Sequence, residues 1–236
     1  MSGNLKDQKA RTNATKDSVH TVQYDRKVRL LLWGGAYAQS DNSAFQMAAI
    51  NVAKDYKKND RHKYEIINKR LRSLQSLILQ INDQKANSIR SLDIFTHGGP
   101  DNFFMVTVRN DQDGSFLNNI RLYRYIFHND SISRAHLRKL KFENFSEDAK
   151  VEIHGCQTAA SSDNIVADFS KYLFEAGKAK SVVIGHTTKA DPRINGDNTE
   201  IPEQDYRHLE RAIYRGGKLL TKTKKTGALD ERELAK

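Results

Sequence analysis

Cys156 is the only cysteine in the 236-residue chain, and it stands in KVEIHGCQTAA, Lys150 to Ala160, where a strand-like run gives way to a small polar turn. A thiol with a pKa near about 8.5 is only a few per cent thiolate at neutral pH, so a cysteine that does chemistry needs a base beside it. DIFTHGG supplies one: His97 ends another strand-like run, 59 residues before the cysteine. If the two runs are neighbouring strands, imidazole and sulfur emerge at one sheet edge. His97 would then take the proton of Cys156 and return it to a leaving amine, after Cys156 attacks a peptide carbonyl and before water resolves the thioester. Gly98 and Gly155, beside them, would let backbone N–H groups approach that carbonyl as an oxyanion hole. Two further strand ends carry histidine: His154, two residues before the cysteine, and His186 in VIGHTT.

Other chemistry fits the same residues. A lone cysteine at the end of an apolar strand is often a small buried hydrophobe, and a strand-end histidine is often a satisfied polar group. His97, His154, Cys156 and His186 also offer nitrogen and sulfur ligands of the kind zinc accepts, which would make the chain a zinc-dependent hydrolase. Against zinc, the ligands would have to converge from three strands and no glutamate is marked as a base. The peptidase reading needs no metal and no resident cofactor. A third reading is a non-catalytic binding or scaffold module.

The elements that must position these residues alternate. KVRLLLWGGAYA holds an apolar run from Val28 to Trp33 closed by Gly34 and Gly35, as a buried strand enters a loop. SAFQMAAINVAKDY carries a helical stripe, YEIIN a short strand, and KRLRSLQSLILQIND a helix with Leu71, Leu74, Leu77, Ile78 and Ile81 at spacings of three and four. IRSLDIFTHGG is a third strand. NFFMVTVRNDQDGS reads as a ribbon turning at Asp113 and Gly114, and DSISRAHLRKLKF as a helix. AKVEIHGC is the fourth main strand, SSDNIVADFSKYLFEAGKA a helix capped near Ser162 or Asp163 and closed by Gly177, and KSVVIGHTTKA the fifth strand. A polar stretch from Asp191 to Asp205 precedes a helix-like QDYRHLERAIY and a short GGKLLT. The alternation predicts an α/β fold: a three-layer α-β-α sandwich around a mostly parallel central sheet, with a small β-hairpin extension. Active groups in such sheets gather at the carboxyl ends of the strands.

Composition sets outer bounds. The chain reads as a polar N-terminal arm over 1–26, a single domain over 27–220 and a basic tail over 221–236. A net charge of +10, from 39 Lys and Arg against 29 Asp and Glu, favours acidic partners in general. No zinc finger, glycine-rich RNA signature or basic stripe interleaved with aromatics is present, so no specific nucleic-acid binding is expected. No window has the roughly 18 apolar residues of a transmembrane segment, and the N-terminus lacks a secretory h-region. The single cysteine excludes an intrachain disulfide and suits a reducing compartment such as the cytoplasm, or export without a classical signal peptide.

SLDIFTHGGPDNF followed by KVEIHGCQTAA resembles the paired signature of the caspase-like cysteine peptidases, which include caspases, clostripain-like and gingipain-type enzymes, separases and the self-processing peptidase domains of large bacterial toxins. The resemblance spans roughly Val28 to Thr188 and is nearest in texture to the bacterial members. It implies the caspase–haemoglobinase fold, a His97–Cys156 dyad, and a protein or peptide substrate, with self-processing or delivery as a bacterial effector among the roles of such domains. Candidate self-cleavage sites lie in the basic N-terminal arm, NDQDGSF and KADPRINGDNTE. The substrate pocket of that family would draw here on Gly34, Gly35, His154, His186, Lys189 and Asp191. Some toxin domains of the family are switched on by a highly phosphorylated inositol, so a polyanion is one candidate activator, and calcium another. The oligomeric state is left open.

Overall fold

Alternating β and α segments build a seven-stranded sheet covered on both faces. The computed structural model describes residues 26–36, 39–104 and 131–234. The N-terminal arm before Arg26 and the turn at Asp113 and Gly114, with the candidate cleavage sites there, lie outside the described residues.

In chain order the elements are β1 (Val28–Gly34), α1 (Gln39–Asp60), β2 (Glu65–Leu71), α2 (Leu74–Asn82), β3 (Ile89–Phe95), β4 (Gly98–Gly99), β5 (Asn102–Phe104), β6 (Ser131–Ser133), β7 (Phe145–Ile153), α3 (Ile165–Glu175), β8 (Val182–His186), β9 (Arg211–Arg215), β10 (Lys218–Thr223) and α4 (Glu231–Leu234). The large sheet runs β10-β9-β8-β7-β3-β1-β2. Strands β2, β1, β3, β7 and β8 are parallel, whereas β9 and β10 pair antiparallel at one side. Strands β4, β5 and β6 form a separate small antiparallel sheet. The result is a three-layer mixed α/β sandwich.

The two faces of the sheet differ in chemistry. One is apolar: Leu30, Leu32, Leu92, Ile94, Val151, Ile153 and Val183 pack under α2 (Leu77, Ile78, Ile81) and α3 (Ile165, Val166, Phe169, Leu173). Side chains alternate across a strand, so the residues between these face the other way. There Leu31, Trp33 and Phe95 meet Phe45, Ala48, Ala49, Val52 and Tyr56 of α1. Toward β8 and β9 that face carries a small apolar cluster of Val182, Ile184 and Ile213, and between the two apolar patches it is polar and buried. In-register neighbours form one row of Arg29, Ser91 and Lys150 and another of Leu31, Asp93 and Glu152.

Local signals fix the ends. The amide of Asn42, in the first turns of α1, donates to the Ala36 carbonyl at 2.8 Å and its oxygen accepts from the Ala36 N–H at 3.2 Å, tying the helix to the end of β1. Asn164 caps α3 by accepting from the Ala167 N–H at 2.8 Å, so the cap lies one residue beyond Asp163 and two beyond Ser162, the positions expected from sequence. Gly216 and Gly217 both have positive φ, as a two-residue hairpin turn between right-twisted strands requires.

Three expected elements differ. DSISRAHLRKLKF is not an α-helix: Ile132 is taken into β6 opposite Phe103, and only a short 3-10 turn, Arg134–Lys139, follows. In QDYRHLERAIY the last residues form β9, because the glycine pair folds LLT back onto AIY and leaves Ala212 and Tyr214 on the opposite face from Ile213. Leu71 ends β2 rather than starting a helix, since Ser73 caps α2. No helix among the described residues is long and apolar enough to cross a membrane.

Candidate functional site

At the carboxyl edge, the strand ends after β3 and β7 do meet. A Cβ on Gly98 would lie 3.1 Å from the Gly155 Cα and 2.7 Å from Thr158 Cγ2, so these two glycines are what lets the segments touch. Cys156 is half-buried, and its sulfur accepts from the Ala190 N–H at 3.3 Å and lies 3.7 Å from the Ala190 carbonyl oxygen. The half-buried His97 ring stands edge-on to Phe45, centroids 5.2 Å apart. Gly34 and Gly35 both have positive φ, and Gly34 lies against the Leu71 backbone. Lys189 is exposed. Asp191 is occupied by Arg193, whose guanidinium donates to it at 3.0 Å and whose N–H donates at 2.8 Å.

The titratable groups that cluster are others. Asp93, Glu152 and His154 each offer a ligand-type atom within 4.8 Å of one another, all three fully buried. No cysteine belongs to this group, and the hydrogen bonds of Cys156 run to the Ala190 backbone rather than to an imidazole. This overturns the expectation of a His97–Cys156 dyad. The assignments that depended on it fall with it: the caspase-like cysteine peptidase, the thiol-protease activity, the thioester intermediate, self-processing and the bacterial toxin or effector role. His154 and His186, expected to line a substrate pocket, are both sealed in the interior.

The cluster is built from Asp93 of β3, Glu152 of β7 and His154, the first residue past the end of β7. His154 Nε2 lies 3.2 Å from Asp93 Oδ1, and its ring stacks on Phe95 at 4.3 Å and 12°. The Tyr56 hydroxyl, delivered by α1, donates to Asp93 Oδ2 at 2.7 Å. Glu152 accepts from Lys150 Nζ at 3.3 Å and from Arg211 of β9. Burial pushes the Asp93 carboxyl up, but the Lys150 charge and the His154 hydrogen bond outweigh it and hold it below the ordinary range. Glu152 behaves alike, with Arg211 and then Lys150 overcoming the effect of burial. Tyr56 is pushed up to about 12, by burial first and then by the Asp93 charge. His186 is pushed down to about 3, by burial and then by His154. Neither ring nitrogen of His186, nor His154 Nδ1, has a hydrogen-bond partner among the described residues.

Two oxygens and a nitrogen at this spacing are a donor set that a divalent ion accepts. The counter-charges are already present, however: two carboxylates face Lys150 and Arg211, and a divalent ion added to them would leave a dry interior strongly positive. The sequence reading missed Asp93 and Glu152 as a unit. The signal was there in K-V-E-I-H, polar at every second residue of a strand buried on both faces.

A second constellation lies at the amino ends of β1 and β3, where a cavity of about 680 Å³ opens. Its cations are Arg29, Lys63, Arg90, Lys150 and Lys225, and its acids are Asp60, Asp148, Asp230 and Glu231. Arg29, 3% exposed, is clamped by Asp60 at 2.5 and 2.9 Å and lies over the Tyr56 and Tyr64 rings at 4.1 and 4.8 Å. Its remaining nitrogen donates to Ser91 Oγ at 3.1 Å and to Glu231 Oε1 at 2.8 Å. Arg90 donates to Glu231 Oε2 at 2.6 Å, so the two oxygens of one carboxylate bridge two guanidinium groups. Burial would raise the Glu231 carboxyl, but the Arg29 hydrogen bond and charge, with Lys150 and Arg90 behind them, keep it below its ordinary value. No sequence motif marked this place, because its residues come from separate segments spread along the chain, from Arg29 to Glu231.

No protein-family model matches this sequence, and no curated protein is detectably similar to it.

Proposed function

We propose that this chain is a binding module that takes a small anionic ligand in the cavity at the amino ends of β1 and β3. The single observation that carries the reading is the pair of nearly buried guanidinium groups, Arg29 and Arg90, converging on one carboxylate inside a ligand-sized cavity. The Arg29 fork, held by Asp60 and two tyrosine rings, is pre-positioned, so a ligand need not order it. The location is unusual, since ligands of open α/β sheets mostly sit at the carboxyl ends of the strands. At the level of architecture alone, we infer the caspase–haemoglobinase arrangement of strands, which carries no activity by itself. A reducing compartment such as the cytoplasm suits the single free thiol. Calorimetric titration with inorganic phosphate tests the reading: saturable binding, weakened at least about tenfold in Arg90→Met, supports it. Absence of binding at millimolar phosphate, in the unaltered protein and in Glu231→Gln alike, overturns it.

A second reading rests on the Asp93, Glu152 and His154 donor set, which would hold a structural metal ion rather than a hydrolytic one, because no substrate reaches fully buried groups. Metal analysis of the purified protein decides it: one equivalent of a divalent ion, lost in His154→Ala, would establish it, and a metal-free protein would dismiss it.

A further inference from the structure

Glu231 lines the cavity but is not part of the sheet that frames it. It arrives on the C-terminal segment after β10, which reaches the cavity as a separately anchored strap. The Gly227 N–H donates to the Arg207 carbonyl at 2.6 Å, and Arg211 donates to the carbonyls of Lys225 and Gly227. Leu229, 8% exposed, fills a small apolar cluster with Val182, Ile184 and Ile213. Arg215 holds the Leu234 carbonyl. The contacts seen among the described residues run mostly to backbone, whereas the Glu231 carboxylate meets two guanidinium groups at once. A short segment held by few buried apolar contacts opens at lower free energy than the sheet it covers.

We infer that the Glu231 carboxylate stands in for the acidic group of the ligand, and that the segment from Lys225 to Leu234 is a built-in competitor that a phosphate-bearing small molecule displaces. The inference rests on the binding reading above. Phosphate is favoured over a carboxylate by charge and shape. Arg29, Arg90 and Lys150 all act on the single charge of Glu231, and a phosphate dianion presents more oxygens and about one more charge to the same three cations. Displacing the segment takes Lys225, Asp230 and Glu231 away together and leaves Arg29, Lys63, Arg90 and Lys150 facing Asp60 and Asp148. The affinity measured for the intact chain is therefore reduced by the fraction of molecules in which the strap is open.

The test uses the full chain, with inorganic phosphate as the probe, in calorimetry and in hydrogen exchange. Glu231→Gln is expected to bind phosphate at least about tenfold more tightly than the unaltered protein, because the competitor is uncharged. Leu229→Ala, which loosens the strap without touching the cations, is expected to shift affinity the same way. Saturating phosphate is expected to speed amide exchange in residues 225–234 of the unaltered protein. Equal phosphate affinity in the unaltered and Glu231→Gln proteins, or unchanged exchange in the segment, overturns the competitor while leaving the binding site standing. No phosphate binding by either protein overturns both.

Discussion

Replacing Glu152 by Gln removes one charge from the centre of the sheet and leaves its size nearly unchanged. Glu152 is 1% exposed and is the shared acceptor of Lys150 and Arg211, which are themselves 2% and 0% exposed. Taking one partner from a buried ion pair typically costs about 3–5 kcal/mol, because the other charge stays behind without compensation. Here the stranded cations keep something. Arg211 still donates to the Lys225 and Gly227 carbonyls, and Lys150 still lies 5.3 Å from the Tyr56 ring centroid and near Asp93. The lower end, about 3 kcal/mol, is therefore expected, out of a total of roughly 5–15 kcal/mol for a domain. In a chain of this size that corresponds to a fall in Tm of roughly 6–12 °C. Thermal and urea unfolding followed by circular dichroism would measure it, and the double variant Lys150→Met with Glu152→Gln should recover part of the loss. A single-variant loss below about 1 kcal/mol would refute the view that charge pairing, and not packing alone, holds this face.

Acid should destabilise the fold earlier than its carboxylates require. His186 titrates at about 3 when folded, against 6.5 when unfolded, so below pH 6.5 the unfolded chain takes up a proton that the folded chain refuses. Stability then falls as pH falls, by up to about 1.4 kcal/mol per pH unit, or about 2 kcal/mol at pH 5. Urea midpoints between pH 7 and 5 should flatten in His186→Leu, and an unchanged slope would count against the assignment. The depressed Asp93 and Glu152 act on a different window: their contribution is complete above the unfolded carboxylate range near about pH 4 and is lost as pH drops below it. Cys156 should react with iodoacetamide as an ordinary half-buried thiol does, and His97→Ala should leave the rate within about twofold. A tenfold drop in that variant would restore an activating role to His97.

How far the sequence led can be judged residue by residue. Apolar runs such as Val28 to Trp33 and the spacing of Leu77, Ile78 and Ile81 announced strands and helices, because burial at a fixed period is a local signal. The order of alternation announced the layered sandwich. What misled was the chemistry at the strand ends: His97 and Cys156 are unusual residue types in suggestive places, but a dyad is a distance, and that depends on where Phe45 and Ala190 pack. Glu152 and Asp93 were hidden in plain alternation, since each looked like an interruption of an apolar strand rather than half of a pair. The meeting of Arg29 with Glu231 joins residues 202 positions apart and has no local trace.

The polar rows beneath α1 also bear on how the strands find their places. A central parallel strand buried on both sides usually has little to tell one alignment from the next, because either face can take an aliphatic side chain. Strand β7 is different. Sliding it by one position would turn Lys150, Glu152 and His154 into the aliphatic layer under α3 and bring Val151 and Ile153 onto the face that carries Asp93, with Arg29 and Arg211 on strands further out. That misalignment would strand charge on both sides of the sheet at once. The ionic rows thus act as an alignment key: whatever their net worth in holding the folded state, they make the neighbouring wrong states expensive, and a chain with so many of them has few ways to fold almost correctly.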